Sequence, residues 1–338
     1  MVQVCPAARQ PGARVLSGAD RSDPAMEEEK TVNRPYKRLS LLVAVAGLIA
    51  SACGAAATPS PSAGAAASPS TPAAATASPS AAASPSASGI AAPTSLLKAG
   101  ELSDCVDIEY SPMEFFKPDA PTTPVGFDVE SYQAVVKKLG LTEKIVNTGF
   151  DGLIPALQAG RCDIVWTALY INDTRKKVAD AVPYFKSSHQ VMVPTGNPKG
   201  IKSETDLCGL TISIQSGGLV QEASKAASDK CMAAGKPAIK VQGYAKVADE
   251  LQQIVIGRVD AVWETDTAVA DFRLKNPGKY DIAFTVAGNS TYGIYYGKGK
   301  ADVGAALSAA LKALKDDGTL AAIATKYSLD PANLSVIQ

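Results

Sequence analysis

The residues of this chain best suited to chemistry stand at two turns. Arg175 follows the polar run Asn172-Asp173-Thr174, just past the apolar stretch Asp163-Ile-Val-Trp-Thr. An arginine offers a planar fork of N–H donors that matches a carboxylate, each charge-assisted bond contributing roughly 1.5–3 kcal/mol. Further on, Gln215-Ser216-Gly217-Gly218 opens a helical pattern. Glycines there leave backbone N–H groups open to an anion at the positive end of a helix. A second Asp-led apolar stretch, Asp260-Ala-Val-Trp, runs into the acceptors Glu264, Thr265 and Asp266. Neither a CxxC nor an HExxH spacing occurs, and the sole histidine, His189, beside an apolar run, reads as solvated or structural rather than catalytic. These groups suit the binding of a charged small molecule, without metal or cofactor.

The elements that position them read clearly. Asp151 is placed as an N-cap acceptor, Leu153, Ile154 and Leu157 share one helical face, and Gly160 closes the helix. Asp163 to Thr167 is then a strand covered on both faces. The turn after such a strand lies at the carboxyl edge of an open sheet, where α/β proteins bind ligands. Val129, Tyr132, Val136 and Leu139 give Asp128–Leu139 an amphipathic helical period. Strands and helices alternate from Cys105 to Tyr327, which predicts α/β architecture with mostly parallel sheets. The echo of Gly-Arg-Cys-Asp-Ile-Val-Trp at 160–166 in Gly-Arg-Val-Asp-Ala-Val-Trp at 257–263 predicts two similarly built domains.

Two motifs carry a family resemblance. Gly126-Phe-Asp-Val-Glu-Ser-Tyr-Gln-Ala-Val-Val and the strand leading to Arg175 resemble the extracytoplasmic solute-binding proteins of the polar amino-acid type, family 3, which serve ABC importers. The resemblance runs from about Cys105 to the C-terminus. It implies two open-sheet domains of periplasmic-binding-protein type II, joined by crossing hinge strands and closing on a ligand. An amino acid presents a carboxylate, an ammonium and a side chain. Carried over residue by residue, Arg175 takes the carboxylate, and Tyr110 and Phe150 sandwich the ligand. Asp107 reads its side chain, and Ala168, through its backbone, and Tyr170 complete that wall. Gly217 and Gly218 stand where the family commonly has threonines, so only backbone contacts carry over. Thr265 stands where the family typically places the aspartate that binds the ammonium. Glu264 and Asp266 flank it as substitutes, Asp266 being equally a helix cap.

Composition sets the remaining bounds. Formal net charge is zero over 338 residues, which argues against a nucleic-acid partner. From Met26, Arg34, Lys37 and Arg38 precede the apolar run Leu39–Ala50, too short for a span of about 20 residues. Ala-Ser-Ala-Cys at 50–53 resembles a lipobox, so residues 1–53 (26–53 if translation starts at Met26) read as an export signal with Cys53 as the lipidated residue. Residues 54–95, rich in Ala, Ser and Pro, read as a disordered linker. Domain 1 is expected over 96–192 and 290–338, domain 2 over 193–289. Gln190–Pro194 and Tyr292–Tyr296 are the expected crossing strands. In an oxidising compartment the four cysteines of the folded part can pair in three ways. Pairing within each domain, Cys105–Cys162 and Cys208–Cys231, leaves the hinge free.

The resulting expectation is a monomeric, lipid-anchored receptor on the outer face of the cell membrane. It delivers a small polar amino acid to an ABC permease and performs no reaction. The alternatives are a dehydratase-like cleft enzyme, with Glu264 as general acid, and a solute sensor for a membrane kinase.

Overall fold

The computed structural model describes residues 89–286, 288 and 290–338. The expected export signal, Cys53 and linker residues 54–88 lie outside them. The first lobe contains β1 (Glu101–Val106), the hairpin β2 (Phe115–Lys117) and β3 (Ala120–Val125), then α1 (Phe127–Leu139), β4 (Thr142–Asn147), α2 (Leu153–Gln158), β5 (Ile164–Val165), the single turn α3 (Asp173–Lys176) and β6 (Ala179–Lys186). The second holds β7 (His189–Pro194), β8 (Thr211–Gln215), α4 (Leu219–Ala233), β9 (Lys240–Tyr244), α5 (Val247–Val255), β10 (Ala261–Thr265), α6 (Asp266–Lys275) and β11 (Tyr280–Val286). The chain returns to the first lobe as β12 (Thr291–Gly297) and ends in α7 (Ala301–Asp316) and α8 (Thr319–Lys326). Among the described residues no helix is long and apolar enough to cross a membrane.

The lobes share one plan. Strand order is β4-β1-β5-β12-β6 in the first sheet and, read from its parallel edge, β9-β8-β10-β7-β11 in the second. Three parallel strands are followed in each by two that run antiparallel to their neighbours. The sequence echo falls on the middle strands, β5 and β10. Its aspartates do the same work: Asp163 accepts from Ser103 N at 3.0 Å, and Asp260 from Thr211 N at 2.9 Å. Each pins the start of the middle strand to the strand beside it. The echoed tryptophans, Trp166 and Trp263, are buried in the cores.

Local chemistry explains the joints. Gly126 precedes α1 with φ of 129°, and a Cβ there would stand 2.1 Å from the Met113 carbonyl oxygen. Only glycine fits. Val129, Tyr132, Val136 and Leu139 are buried as their spacing predicts. Asp151, however, caps nothing: it sits within a 3₁₀ turn, Phe150–Gly152, and Gly152 precedes α2 without a side-chain cap. Both expected disulfides are present, with Cα–Cα separations of 5.7 Å for Cys105–Cys162 and 5.6 Å for Cys208–Cys231.

Two boundaries differ from those expected. Gln190–Pro194 is not a crossing strand, because it lies wholly within β7 of the second sheet, so the outward crossing falls at Ser187–Ser188. The folded body also begins before Leu96. Ile90 packs on the core, and Thr94 N and Ser95 N donate to Asp302 at 2.8 and 2.9 Å. An α7 aspartate thus recruits residues that composition alone places in the linker.

Candidate ligand-binding site

The carboxyl ends of the parallel strands from both lobes enclose one cavity. Asp107, Tyr110, Glu114, Phe150, Thr167, Ala168, Tyr170 and Arg175 line it from the first lobe, and Gln215, Gly218, Leu219, Val220, Glu264 and Thr265 from the second. Nine of the eleven ligand-contacting residues expected from sequence are in that wall: Asp107, Tyr110, Phe150, Ala168, Tyr170, Arg175, Gly218, Glu264 and Thr265. Gly217 and Asp266 are not.

Arg175 owes its place to a short helix. Asn172 caps α3 by accepting from Arg175 N at 2.8 Å. The guanidinium then points into the cleft, where Nη1 donates to Tyr170 O at 2.9 Å and Nη2 to Gly217 O of the opposite lobe at 3.4 Å. Its carbon lies 5.9 Å from the centre of the Phe150 ring. Burial lowers its pKa from a very high starting point, so it stays charged. The fork retains donors beyond these contacts.

The turn after β5 is wired to two buried carboxyl groups. Thr167 Oγ1 donates to Glu114 Oε1 at 2.6 Å and accepts from Asp107 N at 3.1 Å. Ala168 is left-handed, with φ of 43°, and its N–H donates to Asp128 Oδ2 at 2.7 Å. That amide is therefore committed, and the Ala168 carbonyl is the backbone group left for a ligand. Tyr184 OH donates to the same Asp128 oxygen at 2.6 Å. Burial pushes Asp128 up to about 7 and Glu114 well above the ordinary carboxylate range. Both groups therefore hold protons more tightly than ordinary carboxyls, and Asp128 Oδ2 is held by two donors. Asp107, also buried, is pushed up to about 6.

Tyr170 differs from its expected role. Its ring lines the cavity, but its hydroxyl lies 2.8 Å from Ser187 Oγ at the crossing. Asp266 belongs to that crossing too, accepting from Ser187 Oγ at 2.6 Å and Ser188 Oγ at 2.8 Å. The α6 cap is Thr265, which accepts from Ala268 N at 3.3 Å. Asp266 is thus held by the crossing and is not the cap of α6. His189 packs edge-on to Tyr170 with ring centres 4.9 Å apart, and burial lowers its pKa to about 4. It is a neutral structural residue.

In the second lobe, Gly217 N donates to Gln221 Oε1 at 2.8 Å and so is not open to a ligand. Gly218 precedes α4, which has no side-chain cap, and Gly218, Leu219 and Val220 line the cavity at its uncapped end. Glu264 is 2 % exposed; its Oε1 accepts from Thr265 N at 2.7 Å, and its Oε2 has no protein partner. Thr265 Oγ1 hydrogen-bonds Tyr110 OH across the cleft. Sequence reasoning missed Glu114 and Thr167. Glu114 follows a cis Ser111–Pro112 bond in a loop without a periodic pattern, and Thr167 reads only as the end of an apolar strand.

The lobes are closed on one another. Tyr110 OH lies 3.0 Å from Thr267 Oγ1, Val247 N donates to Glu109 Oε1 at 3.2 Å, and Lys275 Nζ donates to Ser111 Oγ at 3.0 Å. The enclosed cavity is about 30 Å³. A single water needs roughly 10–15 Å³, so the two walls of the cleft meet closely here.

A profile of the bacterial extracellular solute-binding proteins, family 3, matches residues 102–330. The L-cystine-binding protein TcyA of Bacillus subtilis is 34% identical over 236 residues, covering 69% of this chain and 83% of that protein. A solved ancestral arginine-binding protein bound to arginine superposes with a TM-score of 0.62 at 31% identity, covering 68% of this chain and 98% of the other. An ancestral amino-acid-binding protein, AncCDT-1, described as a precursor of cyclohexadienyl dehydratase, superposes with a TM-score of 0.59 at 28% identity over 68% of this chain and 95% of that one.

Proposed function

The chain belongs to the bacterial extracellular solute-binding proteins, family 3, and on that premise we propose that it is the receptor of an ABC importer for an amino acid with a cationic side-chain group. Charge balance in the cleft carries this reading. Arg175 is the one cation in the lining, against Asp107, Glu114 and Glu264. The ligand's α-carboxylate answers Arg175 and the uncapped end of α4, and its α-ammonium answers Glu264. Glu114 is spoken for by Thr167 and Asp128. Asp107 then remains as a carboxylate facing the ligand's side chain, and a positive group there completes the balance. The relatives fit this class, being named for L-cystine and for lysine, arginine and ornithine.

Binding is reversible and without turnover in this reading. The Cys53 thioether anchor, the permease and the monomeric state belong to it as well, the anchor being checked by the mass of the mature N-terminus. The test of function is a calorimetric titration of protein stripped of ligand by unfolding and refolding. L-Arginine, L-lysine, L-ornithine or L-cystine binds at micromolar or tighter Kd and is recovered unchanged, while L-glutamate and L-alanine bind at least about 100-fold more weakly. Preference for an amino acid that lacks a second cationic group contradicts the assignment. Consumption of the ligand favours the dehydratase-like alternative, for which a protonated Glu264 would be the acid.

A further inference from the structure

Lobe 2 carries a carboxyl pair that no protein group completes. Glu250, on α5, is 0 % exposed and Glu264, on β10, is 2 % exposed. The two carboxyl groups lie within hydrogen-bonding reach of each other. Glu264 Oε1 is held by the Thr265 amide, but Glu264 Oε2 and both Glu250 oxygens have no donor from the protein. No lysine, arginine or histidine forms an ion pair with either group among the described residues. The charged or titratable groups facing them sharpen the deficit. Glu109 approaches Glu250 from the first lobe, and Tyr110 faces Glu264 across the cleft. Lys246, before α5, acts on Asp107 and Glu109. From β7, His189 is neutral beside Asp266, and Gln190 stands opposite Glu264 in the strand register.

We propose that Glu264 and Glu250 together form the ammonium site of this receptor, and that seating the ligand's cation displaces one proton from the pair. The inference rests on the receptor reading above. A buried charge without a counter-ion neutralises itself, so the ligand-free pair holds a proton on each carboxyl group. An ammonium against Glu264 supplies the missing counter-charge. One proton leaves to solvent, and the other stays between Glu250 and Glu264, so a single negative charge meets a single positive one. Glu264 touches the ligand. Glu250 is a positioning residue, which orients Glu264 by donating the retained proton. The burial-driven rise in the pKa of both groups agrees with this balance. The pair also accounts for Thr265: with the ammonium taken one residue earlier on β10, that side chain is released to cap α6 and to meet Tyr110.

The test is titration of the full protein with L-arginine, and with L-cystine as second probe, in phosphate and in Tris at pH 7. The dependence of the heat on buffer counts the protons released. Wild type releases about one proton per ligand, and affinity rises up to about tenfold per pH unit where the pair titrates. Glu264→Gln loses the release and at least about 30-fold in affinity. Glu250→Ala, which removes the donor that orients Glu264, keeps the release, because Glu264 itself gives up the proton, but loses about tenfold in affinity. Glu250→Gln, whose amide can still donate to Glu264, recovers most of that loss. Wild-type affinity in Glu250→Ala removes Glu250 from the site. The pH profile of wild type needs no variant and checks the same point. Binding by wild type without proton release overturns the proposal alone. Release that persists in Glu264→Gln belongs to Asp107 or Glu109 and overturns it too. Absence of binding by any amino acid overturns the receptor reading, and the proposal with it.

Discussion

Each lobe buries a pair of carboxyl groups beside the cleft, and the pairs are finished differently. In the first lobe three protein donors hold Glu114 and Asp128. Thr167 holds Glu114, and Tyr184 and the Ala168 amide hold Asp128, leaving one oxygen of each, Glu114 Oε2 and Asp128 Oδ1, without a protein donor. In the second lobe Glu250 and Glu264 receive one backbone amide between them. A buried polar group left without a partner costs about 1–3 kcal/mol, and the second lobe carries that cost where a ligand would relieve it. The first pair shapes the wall of the site; the second is open for what enters it.

The sharpest way to break this contrast is to exchange stability for binding. Asp128→Ala strands the Tyr184 hydroxyl proton and leaves the Ala168 amide only its bond to that hydroxyl, so it should lower the stability of the ligand-free protein by about 3 kcal/mol, seen in denaturant unfolding. Glu250→Gln should leave that stability within about 1 kcal/mol of wild type, because no protein bond to its oxygens is lost. Equal destabilisation by the two variants would erase the distinction.

Acidity gives a second handle. Asp128 and Glu109, pushed up to about 7, and Asp107, pushed up to about 6, bind protons more tightly folded than unfolded. Carboxyl groups with raised folded pKa values contribute stability that is complete below the unfolded value, near 4, and lost as pH rises through the folded value. The melting temperature of the ligand-free protein should therefore fall between pH 5 and pH 8. With L-arginine bound the fall should be shallower, since ionisation of the second-lobe pair then has a counter-charge. A melting temperature that rises over this range contradicts the assignment.

The smallest effect concerns closure. Gly217 has φ of 76°, and a Cβ there would stand 2.3 Å from Asp151 Oδ1 of the opposite lobe. Gly217→Ala should cost about 1 kcal/mol through its left-handed backbone and weaken ligand binding a few-fold by holding the lobes apart. Small-angle scattering should show a larger radius of gyration for the variant with ligand. An unchanged closed form would remove Gly217 from the account.

Much of this was legible in the sequence because it rests on local pattern. The strand–turn–arginine unit and each Asp-led strand follow from residues a few positions apart; the cysteine pairs, 57 and 23 residues apart, follow from the division into domains. What was illegible depends on contacts between distant segments. Whether the Gly217 amide was open depended on Gln221, a helix turn away. Whether Asp266 met a ligand or the crossing depended on Ser187, far back in the chain. Glu250 reads in sequence as an ordinary acidic residue in the first turn of a helix, and only the packing of α5 against β10 brings it to Glu264. The position of the crossing itself was misread because β7 is apolar enough to suit either lobe.

The central claim is that the ligand's carboxylate belongs to Arg175 and its ammonium to Glu264. The most direct test crosses two variants with two altered ligands: Arg175→Ala and Glu264→Gln, each titrated with L-arginine, L-argininamide and N-acetyl-L-arginine. The account predicts that Arg175→Ala no longer distinguishes argininamide from arginine, while Glu264→Gln no longer distinguishes N-acetylarginine from arginine. Each variant keeps the other discrimination. If both variants retain the full wild-type penalties for both altered ligands, neither residue holds the group assigned to it and the account is wrong.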